Sequence, residues 1–463
     1  MKKIALSLVA LVATSAFAST ITLYQDKDTG AIYTKPGPNR VALGEFISKD
    51  ELKKEALGEI KKELPYKNTL QTHFHVIKKN SPEFLLGKET GPNMLVRPFD
   101  NPDMYMKFGV RVMGTFENYK EENKATGVTE EDFWDAYLRR VRFEVTAGFG
   151  KHTSFTMDIR NDKANYRDSG EKEFNVGDAY LKIKKPFGTS LANFKLYRGK
   201  IDVSRTETVK SAYVIHYDRP HVADEAAQYI SHNRRATNIQ MYGNWKHKIA
   251  YQIAMGDGVY SGKLKDARGK KFSSSTASGF HQDEFFYGGK IVLSPFDGWE
   301  EKKRTETYFA QGKHFSIGAA YWKSPDINFV DGSGKAVKLD HTLINYELSA
   351  HYKGAFVQAE YFKFDGVVSD WNNAQVGTSN GWYVTGEYVI PSLYYIAPFA
   401  RYEKWDKLED ANGYDMRSKI AGINWYLRGN STKVGIAYQE DDYDVNVGDK
   451  KVKRLKFTTQ WFF

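Results

Sequence analysis

Eight cations share one side of the first extended segments of this chain: Lys107, Arg111, Arg140, Arg142, Arg160, Lys182, Lys184 and Lys195. Successive side chains in a strand alternate faces, so spacing by two gathers these charges into one wall. Such a wall attracts anions; it does no covalent chemistry. At about 8 Å in water one of these charges attracts a monovalent anion by roughly 0.5 kcal/mol before screening. Three or four together give on the order of a tenfold preference for anions over cations. That preference selects without retaining, as passage through a channel requires. Glu117, Glu144, Asp158 and Asp178 lie on the same face and blunt it. Other chemistries have less behind them. The sequence has no Walker A loop and no His-Glu-x-x-His motif. His73 and His75 share a face, but no third ligand follows closely, so a structural role is favoured over metal. No catalytic residue, cofactor or metal is assigned.

The elements that must carry this wall are strands. Met106, Phe108, Val110, Val112, Gly114 and Phe116 oppose Lys107, Arg111, Thr115 and Glu117; Val141, Phe143, Val145, Ala147 and Phe149 oppose Arg140, Arg142, Glu144 and Thr146. The same holds for Phe155, Met157 and Ile159, and for Ala179, Leu181 and Ile183. The last stretch, Arg454 to Phe463, puts Leu455, Phe457, Thr459, Trp461 and Phe463 on one side and Lys456, Thr458 and Gln460 on the other. A soluble domain ending so would expose an apolar edge, whereas a closed barrel leaves no edge. A Lys or Arg on the lipid face at mid-bilayer costs about 2–4 kcal/mol, so the segregation of charge is what a membrane barrel needs. About sixteen such segments are expected between Met104 and Phe463, an all-β transmembrane antiparallel barrel. Long connections near 120–136, 161–174, 201–236, 256–284, 323–340, 364–380, 405–416 and 440–452 alternate with short ones, as in barrels with long outer loops and short periplasmic turns. The connection 295–312, with its Glu-Glu-Lys-Lys-Arg run, departs from this rule.

Composition agrees. Mean hydropathy of -0.57 excludes a bundle of membrane helices but suits strands that are apolar on one face only. Thirty Tyr and nine Trp suit aromatic girdles. Residues 1–18, with Lys2 and Lys3, an apolar run and Ala16-Phe17-Ala18, read as a signal peptide cut before Ser19. Its removal takes two Lys and no acid from a net charge of +10, leaving +8. No Cys is present, so an exported chain relies on burial and hydrogen bonding, not disulfides. Residues 19–103 form a separate periplasmic segment, with a hairpin around Asp26 to Gly30 and a short amphipathic helix opened by the capping box Ser48 to Glu51.

Four runs resemble the phosphate-selective porin (porin O/P) family: Tyr137-Leu138-Arg139-Arg140-Val141-Arg142-Phe143, Gly177-Asp178-Ala179-Tyr180-Leu181, Phe194-Lys195-Leu196-Tyr197-Arg198-Gly199-Lys200 and Gly422-Ile423-Asn424-Trp425-Tyr426. The resemblance covers 104–463. It implies a sixteen-stranded homotrimeric channel in which the third outer loop folds inward to narrow the pore. Here that loop is 201–236, and Arg205, Lys210, Arg219, Arg234 and Arg235 are its constriction cations, with His216, Asp218 and His221 beside them. A loop salt-bridged to its neighbours is the plainer reading. The resulting expectation is an outer-membrane porin of a Gram-negative-type bacterium, surrounded by outer-membrane lipid and passing small anions, phosphate-like oxyanions first. It takes no cofactor and binds no nucleic acid. The alternatives are a general-diffusion porin, a barrel enzyme and a surface-structural barrel.

Overall fold

The computed structural model describes residues 21–46, 71–73, 93–96, 104–167, 173–231, 235–296 and 305–462. The signal peptide, the helix expected after Ser48, His75, Arg234, the run 300–304 and Phe463 lie outside them. Two compact units divide the chain, Met1–Thr69 and Leu70–Phe463.

In the first unit, β1 (Ile21–Asp26) is flanked by β2 (Ile32–Tyr33) and β3 (Arg40–Phe46). The expected β1–β2 turn forms because the Asp26 side chain accepts from the amides of Asp28 and Thr29, both at 3.0 Å. Gly30, at φ +72°, closes it.

The second unit begins with β4 (Gln71–His73) and β5 (Asn93–Val96), then β6 (Met104–Asn123), β7 (Thr129–Phe149), β8 (Thr153–Ala164), β9 (Asn175–Ile183) and β10 (Asn193–Gly199). There follow β11 (Ala236–Trp245), β12 (Ile249–Gly256), β13 (Ala277–His281), β14 (Phe286–Leu293), β15 (Lys313–Asp331), β16 (Ala336–Tyr352) and β17 (Ala355–Val368). The set ends with β18 (Val376–Tyr388), β19 (Ile396–Asp406), β20 (Asp415–Asn430), β21 (Thr432–Tyr443) and β22 (Lys450–Phe462). Sixteen of these, β6 to β12 and β14 to β22, make a closed antiparallel barrel sealed by β22 against β6. The sheet also reaches upstream of Met104: β5 pairs Met94 to Val96 with Phe108 to Met106, beside the part of β6 that β22 leaves uncovered. No helix among the described residues is long and apolar enough to cross a membrane; the strands do so.

The barrel is apolar outside and polar inside. In β22, Leu455, Phe457 and Trp461 are exposed and Lys456, Thr458 and Gln460 are buried. In β11 and β12, Ile239 and Ile253 face out while Asn238, Gln240 and Gln252 are buried. A soluble sheet would show the reverse. The alternation is interrupted in β7, where the register slips between Met113↔Arg140 and Gly114↔Leu138, leaving Arg139 as an extra residue. Beyond this bulge the facing parity flips, so Tyr137 turns inward (6% exposed) and Trp134 outward (72%).

Strands run farther than the sequence pattern indicates. At 120–136 and 323–340, where long loops are expected, β6, β7, β15 and β16 continue to Asn123, Thr129, Asp331 and Ala336. The connections 200–235 and 257–285 remain long. The first folds into the barrel, carrying a one-turn helix, Arg205–Thr208, and a longer one, His221–Ile230. The longer helix is amphipathic, and its Val222, Ala223, Ala226, Ala227 and Ile230 are buried. They meet an apolar patch on the inner wall, Phe286, Trp322, Leu343, Phe362, Phe364 and Tyr383. Its first amides, His221 and Val222, are capped by the Glu403 carboxylate at 3.0 and 2.7 Å. One side of the barrel is thereby filled like a soluble core.

Candidate functional site

On the other side a cavity of about 740 Å³ remains between β6 to β12, β14 and the edge of the infolded loop. Among the described residues nine cations line it, Arg111, Arg142, Lys182, Lys195, Lys200, Lys210, Arg219, Arg235 and Lys290, against five carboxylates, Glu144, Asp158, Asp178, Asp202 and Glu207. The wall is laid out in rungs by strand register. Arg111 pairs with Arg142, and Arg142 with Arg160. Glu144 pairs with Asp158. Nearer the short-turn end, Lys182 of β9 stands directly opposite Lys195 of β10.

Most of these charges are matched. Arg142 meets Asp162 at 3.1 Å, Arg235 meets Asp178 at 2.7 Å, Lys210 meets Glu144 at 3.2 Å and Lys200 meets Glu207 at 2.6 Å. Lys290 lies between Asp202 at 3.0 Å and Glu347 at 2.6 Å. Among the described residues no carboxylate forms an ion pair with Arg111, Lys182 or Lys195. Arg111 donates to the Ser211 hydroxyl at 2.9 Å. The Lys195 ammonium rests 3.7 Å from the Tyr197 ring centre and 4.8 Å from that of Tyr180, which Lys182 also approaches at 4.7 Å.

Of the wall residues expected from sequence, Arg111, Arg142, Lys182 and Lys195 come together at the cavity, and of the loop residues Lys210, Arg219 and Arg235 do. The rest are elsewhere. Lys107 and Lys184 are exposed near the short-turn end. Arg160 is beside Asp162 at 3.8 Å, behind the Arg142 rung. Arg140 is 4% exposed and donates to the Tyr217 carbonyl at 3.0 Å. Arg205 is 1% exposed and clamps Gln358 and the Thr305 carbonyl. Alternation gives the side a residue faces, not whether a loop covers it. Arg219, though at the cavity, spends its donors on the Thr206 and Val209 carbonyls at 2.8 and 2.7 Å.

Three cations escaped the sequence reading. Arg139 is turned inward by the bulge and holds Asp218 at 2.8 Å. Lys290 alternates with lipid-facing Ile291, a signal that was present but lay beyond the first five strands. Lys200 follows β10 directly.

The loop edge that bounds the cavity is fixed from the far wall. Gln460 donates to the Ala212 carbonyl at 2.9 Å, Lys433 to Val214 at 2.6 Å and Asn424 to Ile215 at 3.1 Å. Asp218 takes Lys456 at 2.6 Å as well as Arg139. Burial alone would raise the Asp218 carboxyl; Lys456 and then Arg139 outweigh it and hold it well below the usual carboxylate range. His216, buried beside Arg401, is pushed down to about 3 and stays neutral.

No metal-binding group of three or more His, Cys, Asp or Glu occurs among the described residues. The arrangement offers charge and space, not a nucleophile with its base.

A family-wide sequence model, described as Phosphate-selective porin O and P, matches residues 106–461. No curated protein sequence matches the chain significantly. Among solved structures, the anion-selective porin from Comamonas acidovorans is similar at TM-score 0.52 and 11% identity, over 78% of this chain and 100% of that one. The outer membrane channel DcaP of Acinetobacter baumannii is similar at TM-score 0.51 and 12% identity, over 79% of this chain and 99% of that one. At such identities the structural likeness speaks for the barrel fold, and the sequence match assigns the family. The chain belongs to the phosphate-selective porin O and P family and is an outer-membrane β-barrel porin, a channel and not an enzyme.

Proposed function

We propose that this porin passes small anions, phosphate-like oxyanions first, by diffusion through the cavity beside the infolded loop. The observation that carries the reading is the Lys182–Lys195 rung with Arg111 nearby: like charges placed directly opposite are unfavourable unless something negative comes between them. Among the described residues nine cations line the cavity against five carboxylates, and Asp162 and Glu347 behind the lining pair with Arg142 and Lys290, which leaves an excess of two positive charges. Each uncompensated cation is worth roughly 0.5 kcal/mol to a monovalent anion at about 8 Å in water, which favours entry without trapping. The wall residues Arg111, Arg142, Lys182 and Lys195 and the loop residues Lys210 and Arg235 are the proposed anion pathway. Lys107, Lys184 and Arg160 lie outside the cavity, Arg140, Arg205 and Arg219 serve the loop's position, and Arg234 is outside the described residues.

The test is the reversal potential of single channels in a planar bilayer under a KCl gradient, repeated with phosphate added. A potential toward the chloride equilibrium value, with chloride current blocked by low phosphate, supports the reading. Cation preference overturns it. Anion preference without phosphate block leaves the second reading, a general-diffusion porin, which the five carboxylates in the cavity favour.

In keeping with the family, the proposed assembly is a homotrimer, with residues 1–18 removed on export. Cross-linking that yields only a band near the 52.9 kDa of one full-length chain, slightly less once trimmed, would exclude the trimer.

A further inference from the structure

The connection between β14 and β15 is the long exception at the end where the other turns are short. The part of it after the run 300–304 enters the barrel: Thr305, Glu306, Thr307, Tyr308 and Phe309 are all buried. There the Glu306 carboxylate accepts the Thr206 hydroxyl at 2.9 Å with one oxygen and the Ile215 amide at 2.8 Å with the other. The Glu306 amide donates to the Tyr213 carbonyl at 3.0 Å, and the Thr305 carbonyl accepts from Arg205. Between Thr206 and Ile215 lie the loop residues that bound the cavity: Glu207, Val209, Lys210, Ser211 and Tyr213. One carboxylate thus ties both ends of the segment whose edge limits the passage.

We propose that Glu306 is a positioning residue: from the periplasmic turn it staples the constriction loop and so sets the width of the passage and the reach of Lys210 into it. The inference rests on the proposed path through this cavity. The far wall holds residues 212 to 218 of the loop, and Glu306 adds a hold on Thr206 and on the Ile215 amide from the periplasmic turn. With this hold at both ends of the segment, the stretch from Thr206 to Ile215 can shift away from the far-wall anchors only when both Glu306 bonds are released together.

The side-chain chemistry makes the test selective. In Glu306→Gln the amide oxygen still accepts from the Ile215 amide and the amide nitrogen donates to the Thr206 hydroxyl, so both bonds survive. In Glu306→Ala neither does. Single-channel records of wild type and both variants should show wild-type conductance and noise for Gln, and a larger, noisier conductance for Ala. The Ala variant should also lose about twofold in its anion-to-cation permeability ratio as Lys210 moves away and leaves Glu144 in the lining unmatched, the weight of one charge at about 8 Å in water. Should Glu306→Ala fail to yield a heat-modifiable folded band, Thr206→Val, which removes one of the two bonds from the loop side, is read in its place with the same expected signs. Folded Glu306→Ala or Thr206→Val channels with unchanged conductance and noise would overturn the staple. Conductance and noise are compared between variant and wild type whatever ion the wild type prefers, so a failed staple and a failed anion reading are told apart.

Discussion

At the scale of single residues, facing and function separate. Lys182 and Lys195 have aromatic neighbours and no carboxylate partner among the described residues, so their charge is available to a passing ion. Lys195→Gln or Lys182→Gln should each lower the anion-to-cation permeability ratio about twofold, read as a smaller reversal potential. Arg140 has its charge turned to the loop backbone instead. Arg140→Met leaves the Tyr217 carbonyl without that donor and should cost about 1–3 kcal/mol, measured as a lower urea midpoint for loss of the heat-modifiable band. Asp218 sets the response to acid. Its folded value is depressed, so its contribution is fully present above the ordinary carboxylate range and is lost only as pH falls through the depressed value. Conductance should therefore hold from neutral pH down to about pH 4; a widening of the channel between pH 6 and about pH 5 would contradict this account of the loop's anchor.

At the scale of elements, the alternating strands were legible because two solvents, lipid and water, write opposite demands on successive residues, as Phe457 and Thr458 show. The inward fold of the third loop came from family resemblance, and its amphipathic helix explains why it stays. The bulge at Arg139 was not legible, since a one-residue slip leaves no mark in a pattern of charges on both of its sides. The 305–312 turn was not legible either: Thr-Glu-Thr-Tyr-Phe has no period that distinguishes a buried turn from a surface one. Arg140 and Arg205 misled for a related reason, as cations that face the lumen look alike whether or not a loop covers them. The loop helix depends on Glu403 for its first amides. Glu403→Ala should destabilise the docked helix by about 1 kcal/mol, detectable as more frequent excursions to a higher conductance level.

At the scale of the whole molecule, closure is the condition for everything else. β22 pairs along its length with both β21 and β6. Deleting 454–463 leaves two unpaired edges in lipid, where each unsatisfied backbone group costs several kcal/mol; the truncated chain should give no heat-modifiable band and no channels. Within the closed wall the two sides are built on different principles. One side, under the His221–Ile230 helix, is packed with Trp322, Phe362 and Phe364, and the other keeps its cations around open space. Substitutions on β15 to β18 therefore disturb packing, while those on β7 to β10 change what the lining offers to solutes. A shell divided in this way lends itself to redesign: its cation-lined flank can be rewritten for a different cargo, by selection or by an engineer, while the packed flank continues to keep the barrel in shape.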